Sequence, residues 1–255
     1  MKSLKRASAL PLLGVSIVAF GADLSIPIPG ASALVLKAIP AGSFTMGSEG
    51  TAQPPHRVTL TQAFHMAQCE VTQGQWQALM SGNPSQFAGD PQRPVEHVSW
   101  EDTQAFIKAL NQNTATARPA DLAFRLPTEA EWEYACRASS TTAFSFGDSP
   151  NLMGSAGWYE VNASYTTQPT GRKQANAWGL QDMHGNVSEW CQDWFGPYAD
   201  AAQTDPAGPA SGAFRIVRGG SWAQSGEACS SASRSLLTPA TATDRTGFRV
   251  VLAAK

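Results

Sequence analysis

The 255-residue sequence predicts one mixed helix-and-strand domain, with three short helices, short strands and a long irregular region. Three observations predict it. Hydroxyl residues cap three amphipathic stretches, short alternating apolar runs flank them on both sides, and residues 139–214 keep no period. Apolar residues make up 42% and charged residues only 15%, which excludes disorder for the bulk of the chain. Eighteen Lys plus Arg stand against 20 Asp plus Glu, a net charge of -2. That balance gives no electrostatic grip on phosphates and speaks against binding nucleic acid.

The first element reads as an address. Met1 to Arg6 is a basic head, and Ala7 to Ala22 is apolar but short for a bilayer span. Pro27, Pro29 and Gly30 then break any helix before Ala31-Ser32-Ala33, an A-x-A cleavage pattern. Residues 1–33 are therefore expected to be a signal peptide and residues 34–255 a single domain. The protein is expected to be exported, periplasmic or secreted, with no stable membrane insertion after cleavage. No cysteine lies near the cut, which argues against a lipoprotein.

Strands follow at Leu34 to Pro40 and Phe44 to Gly47, as a hairpin, and at Val58 to Leu60 and Phe64 to Met66. Three helices start alike. Thr72-Gln73-Gly74-Gln75, Ser99-Trp100-Glu101-Asp102 and Thr128-Glu129-Ala130-Glu131 each place a hydroxyl at the N-cap and an acid or amide three residues on. The hydroxyl takes an orphan amide of the first turn while the acid or amide reaches back to the cap. Behind the caps, Trp76 with Leu79, Phe106 with Leu110, and Trp132 with Cys136 form apolar stripes over about 9–13 residues. Beyond Ala138 the chain is expected to be irregular but packed, held by aromatic burial, disulfides or a bound ion. Arg215 to Arg218 and Phe248 to Leu252 close the sequence as strands.

Cys69, Cys136, Cys191 and Cys229 all follow the expected cut, an even number that favours disulfides in an oxidising compartment. Four cysteines allow three pairings, and their spacing does not choose among them. No C-x-x-C occurs, and the four histidines lack metal-ligand spacing.

Several stretches together resemble the formylglycine-generating enzyme, or sulfatase-modifying-factor, family. They are Ile39 to Gly47, Glu70-Val71-Thr72, Pro94 to Trp100, Arg125 to Ala135, Asn176 to Trp190, Arg218 to Trp222 and Gly247-Phe248-Arg249, in family order over roughly residues 36–252. The resemblance implies an α+β fold related to C-type lectins. It also implies where a copper(I) pair would stand: two thiolates shortly after the Gly-Gly-Ser motif, which suit that soft ion. Here the first position is Gln224 and the second Cys229. An amide does not replace a thiolate on copper(I), so the cofactor expected is not copper.

The resemblance further implies that Cys229 pairs with Cys136 of the third helix in a disulfide rather than serving as a catalytic thiol, leaving Cys69 and Cys191 for a second bridge. It places a structural calcium on Asp182, Gly185, Val187 and Glu189, and a weaker second one, without any carboxylate, on Asn151, Leu152, Asn162 and Ser164. Glu129, Glu131 and Glu133 suit a helix start, and Arg218, Arg234 and Arg249 are expected to be structural ion pairs.

The expected function is that of an exported accessory module without copper oxidase activity. It would contact a protein or small-molecule ligand through the surface around Ser221–Ala232, with Ser221, Trp222 and Gln224 as binding residues. The alternatives are an oxidase that converts a sulfatase cysteine to formylglycine, or another oxidative enzyme on this fold of the pyoverdine-maturation kind.

Overall fold

The computed structural model describes residues 21–255; the basic head and nearly all of the apolar stretch of the expected leader lie outside the described residues. The strands are β1 (Leu24–Ile26), β2 (Leu34–Ile39), β3 (Gly42–Ser48), β4 (Ala52–Leu60), β5 (Phe64–Ala67) and β6 (Leu122–Arg125). They continue as β7 (Ser188–Trp194), β8 (Gln203–Thr204), β9 (Arg215–Arg218), β10 (Arg234–Leu237), β11 (Thr246–Gly247) and β12 (Val251–Ala254). The helices are α1 (Gln73–Leu79), α2 (Trp100–Asn113), α3 (Glu129–Arg137) and one turn, α4 (Met153–Ala156). Three sheets form, ordered β1-β2-β5-β12-β6, β10-β9-β7-β11 and β3-β4-β8. Pairing is antiparallel except for the short parallel pairs β11–β7 and β4–β8.

All three helix starts close as reciprocal capping boxes. Thr72, Ser99 and Thr128 each accept from the third helical amide, and Gln75, Asp102 and Glu131 each accept from the cap amide. The shorter Asp102 reaches with an Oδ2–N distance of 2.9 Å. Helix α1 ends after seven residues, because Met80 is extended and Ser81-Gly82-Asn83-Pro84 follows it. Strand β4 begins earlier than the sequence suggests, running through Pro54 and Pro55. Those prolines sit where the β3–β4 register slips between Met46 and Ser48, so no ladder bond is lost there.

The residues just before the expected boundary after Ala33 pack onto the domain. Leu24, Ser25 and Ile26 pair with Leu36, Val35 and Leu34, and Ile26 and Ile28 are buried. Strand β7 corrects the irregular reading of residues 139–214. Its burial is nearly continuous rather than alternating, which hides a strand from a period-2 reading.

Two large apolar clusters and a small third one, of Phe144, Met153 and Cys229, fill the described residues. One joins β1, β2, α1, α2 and the last strands, with Trp76 stacked on Phe106 at 5.4 Å. The other surrounds α3, whose Trp132 is fully buried. The acids of α3 are buried too and are paired. Arg234 and Arg218 approach Glu129 at 2.6 and 3.5 Å, Arg125 reaches Glu131 at 2.6 Å, and Arg218 and Arg137 both reach Glu133. A buried pair of this kind positions elements more than it stabilises them, since desolvation consumes much of the attraction.

Candidate functional site

The segment after β9 turns on Gly219 and Gly220. A methyl group at Gly220 would sit 2.5 Å from Cys229 Sγ and 3.0 Å from Ala228 O, so the glycine is what lets Cys229 fold back over the turn. Ser221 Oγ donates to Gln224 Oε1 at 3.1 Å, and Gln224 O accepts from Glu160 N at 3.1 Å. Trp222 is anchored by its amide on Asn186 O (2.8 Å), by Nε1 on Asp244 O (2.9 Å), and by an edge contact with Phe87 at 5.3 Å.

Of the three expected ligand-contacting residues, Ser221 and Trp222 are buried and Gln224 is half-buried. Ser221 and Trp222 therefore hold the surface, and Ala223, Gln224 and Ser225 are what it presents. Beside it lies a cavity of about 480 Å³ lined by Gln86, Phe87, His97 and Asp244. Two of its walls, Phe87 and Asp244, are the partners of Trp222. His97 enters this cavity from a left-handed backbone (φ 61°), a conformation that a non-glycine residue adopts only under tertiary constraint.

The copper position does not fit copper. Gln224 Oε1 is already hydrogen-bonded, and the buried Cys229 thiol, packed with Phe144 and Met153, is pushed up to about 12 by desolvation. One thiol, with an amide at the other position, is not the thiolate pair that the ion requires.

Neither expected pair of cysteines is joined in the structure. Cys136 Sγ faces Ser231 Oγ at 3.6 Å and His184 Nε2 at 3.8 Å, whereas Cys229 Sγ packs on Gly220. The 3₁₀ turn Glu227–Cys229 rotates the segment so that the serine, two positions on, meets α3. Cys69 lies against Gly171 and Gln181, while Cys191 is buried on β7 with its carbonyl held by Trp100 Nε1. Between the two segments His184 donates from Nδ1 to Cys229 O (2.8 Å) and accepts at Nε2 from Ser145. Burial lowers its pKa to about 4 and raises that of Cys136 to about 12, so both are neutral and the pair is no thiolate–imidazolium couple.

The expected calcium ligands divide. Glu189 is spent: its oxygens accept from Arg249 Nε and Nη2, both at 2.7 Å, and from Trp132 Nε1 at 2.7 Å. Gly185 donates its amide to Gly219 O, and Val187 is buried just before β7. Asp182 is different. Its Oδ2 accepts from Gly171 N at 2.6 Å, while the buried Oδ1 has no partner. Its companion is Glu70, which the sequence reading did not single out. Glu70 is buried, Oε1 accepts from Asn186 Nδ2 at 3.1 Å, and Oε2 has no partner.

Burial and the charge of its neighbours raise both acids, Asp182 to about 6. Thr167 Oγ1, next to the Gln168 that bonds Asn186, is a third buried oxygen without a partner. A signal for Glu70 was present, since it is the only Asp, Glu, Lys or Arg between Val58 and Gly89.

The second expected site does not assemble. Asn162 Oδ1 accepts from Tyr159 N and its Nδ2 donates to Gly157 O, closing a local turn, while Asn151, Leu152 and Ser164 are exposed. Among the described residues no group of three or more His, Cys, Asp or Glu is arranged to hold a metal. A cation at Glu70 and Asp182 would therefore have to complete its shell with neutral oxygens.

This fold belongs to a known class. The chain is a member of the sulfatase-modifying factor enzyme 1-like domain family, whose profile matches residues 32–254, so β1 lies ahead of the matched region. It is 36% identical over 187 residues to the formylglycine-generating enzyme of Streptomyces coelicolor, covering 66% of this chain and 55% of that enzyme. It is 32% identical over 215 residues to the chaperone protein LppX of Paenibacillus barcinonensis, covering 66% of this chain and 72% of that protein. Treponema denticola variable protein 1 superposes with a TM-score of 0.84 at 30% identity, over 92% of this chain and 100% of that one. The match thus spans little more than half of the Streptomyces enzyme.

Proposed function

We propose that this chain is an exported, non-oxidase member of the family that recognises a protein or small-molecule ligand through the face around Trp222. The observation that carries the reading is the pair Gln224 and Cys229: a bonded amide and a single buried thiol where paired thiolates would be needed. The adjoining cavity lined by Phe87, His97 and Asp244 supplies the concave feature a ligand face requires. The likeness to a protein named as a chaperone supports an accessory role. No helix among the described residues is long and apolar enough to cross a membrane, which is compatible with release after export.

Calcium belongs to this proposal as a structural ion. Glu70 and Asp182 would hold it, with Thr167 as a neutral oxygen, and its charge would neutralise two buried carboxylates that repel each other. The experiment for the main reading is copper(I) titration of the reduced protein together with a cysteine-peptide oxidation assay. No one-to-one copper complex and no turnover is the expected result. Tight stoichiometric binding with turnover would establish instead the oxidase reading, which the identity to a formylglycine-generating enzyme favours.

A further inference from the structure

We infer that export processing cuts the Gly21–Ala22 bond, so that the mature protein begins at Ala22 and keeps β1. The inference rests on the export reading above, and the structure supplies what that reading lacks, the position of the cut. The A-x-A pattern at Ala31-Ser32-Ala33 is the obvious site in the sequence, but cutting there would remove residues the domain is built with. Three residues of β1 pair with β2 in register. Ile26 and Ile28 retain 2% and 3% of their accessible surface and belong to the same apolar cluster as Leu34, Leu36, Trp76 and Phe106.

Polar contacts fix the same segment. Asp23 Oδ2 accepts from Lys37 Nζ at 2.7 Å and its Oδ1 from Ala38 N at 3.1 Å. Gln75 Nε2 of α1 donates to Ser32 O at 3.4 Å, and the His65 ring meets Ala22 O at 3.1 Å. Contacts from Ala22 to Ser32 thus tie this segment to the domain. A chain starting at Leu34 would lose the edge strand of the five-stranded sheet and open the cluster beneath it.

The residues just upstream meet the requirement of a signal peptidase. Small side chains are needed at the last residue of the leader and two residues before it. Gly21 and Ala19 provide them, whereas a cut one bond later would put Phe20 in the second small-residue position. The step is amide hydrolysis. Water adds across the Gly21–Ala22 bond, leaving a carboxylate on Gly21 and an ammonium group on Ala22, with no other reactant.

The full-length chain is expressed in a bacterial host, and the exported protein is taken for intact mass and N-terminal sequencing. The expected result is a single species beginning Ala22-Asp23-Leu24. An exported species beginning at Leu34, at any other residue, or at Met1 overturns the inference while leaving export intact. Uncut protein confined to the cytoplasm overturns the export reading and this inference with it. Ala19→Glu is expected to leave an uncut precursor, and Ala33→Glu, at an exposed position, to be processed as the wild type. The reverse pattern would place the cut after Ala33.

Discussion

Ser231 Oγ lies 3.6 Å from Cys136 Sγ, so the residue that faces the thiol of α3 is a serine and not Cys229. Ser231→Cys is therefore expected to form, on oxidation, a bridge to Cys136, closing a loop of 95 residues. Chain entropy sets the stabilisation at up to about 4–5 kcal/mol. Non-reducing peptide mapping checks the pairing. A Cys136 that still alkylates in the oxidised variant would show that the two side chains do not meet.

Gly220→Ala should destabilise the protein by about 2–4 kcal/mol, because a left-handed backbone and a 2.5 Å contact with Cys229 Sγ act together. Adding Cys229→Ala removes the clash but not the backbone strain, so part of the loss should return. Denaturant unfolding of the single and double variants measures both terms. Equal midpoints for the two variants would mean that Cys229 does not press on this turn.

The pKa of His184 falls to about 4 on burial, from 6.5. A group whose folded pKa is depressed binds its proton more readily when unfolded, so His184 costs stability as pH falls from about 6.5 to about 4. The whole effect amounts to roughly 3 kcal/mol. Asp193 and Asp182, raised to about 7 and about 6, act in the opposite sense, since protonating them favours the folded state. The contribution of His184 is isolated by difference: the stability gap between the wild type and His184→Asn should shrink by that amount between pH 6.5 and pH 4. A gap that stays constant would place the imidazole in contact with water.

Calcium should raise the wild-type melting temperature by several degrees, reversed by a chelator, through preferential binding to the folded state. The double variant Glu70→Gln, Asp182→Asn should lose that response and melt higher than the calcium-free wild type, because the cost of burying two mutually repelling ionisable groups is gone. Glu189→Gln tests the assignment from the other side. It should be destabilised by about 3–5 kcal/mol through the stranded Arg249 while keeping the calcium response. Thermal scans with and without calcium read all three, and a wild-type curve indifferent to the ion would end the proposal.

Much of the fold was legible before any coordinates. Thr72, Ser99 and Thr128 marked their helices because a capping box closes within three residues, so the sequence that encodes it also contains it. The motifs from Ile39 to Arg249 placed the chain in its family for a similar reason, each being a short run of neighbours. Strand β7 was less legible: its residues are buried on both faces, and burial without alternation has no period to read.

By itself the sequence determined the helix starts, the family and the amide at Gln224 that argues against a copper site. Only the tertiary structure decided that Glu189 belongs to Arg249, 60 residues on, that Glu70 lies with Asn186 and Asp182, and that β1 is part of the domain. The physical reason is range. A cap is satisfied by atoms three residues away, whereas a buried carboxylate takes whatever cation, amide or vacant space the packing of distant segments brings to it, and no local pattern records that choice.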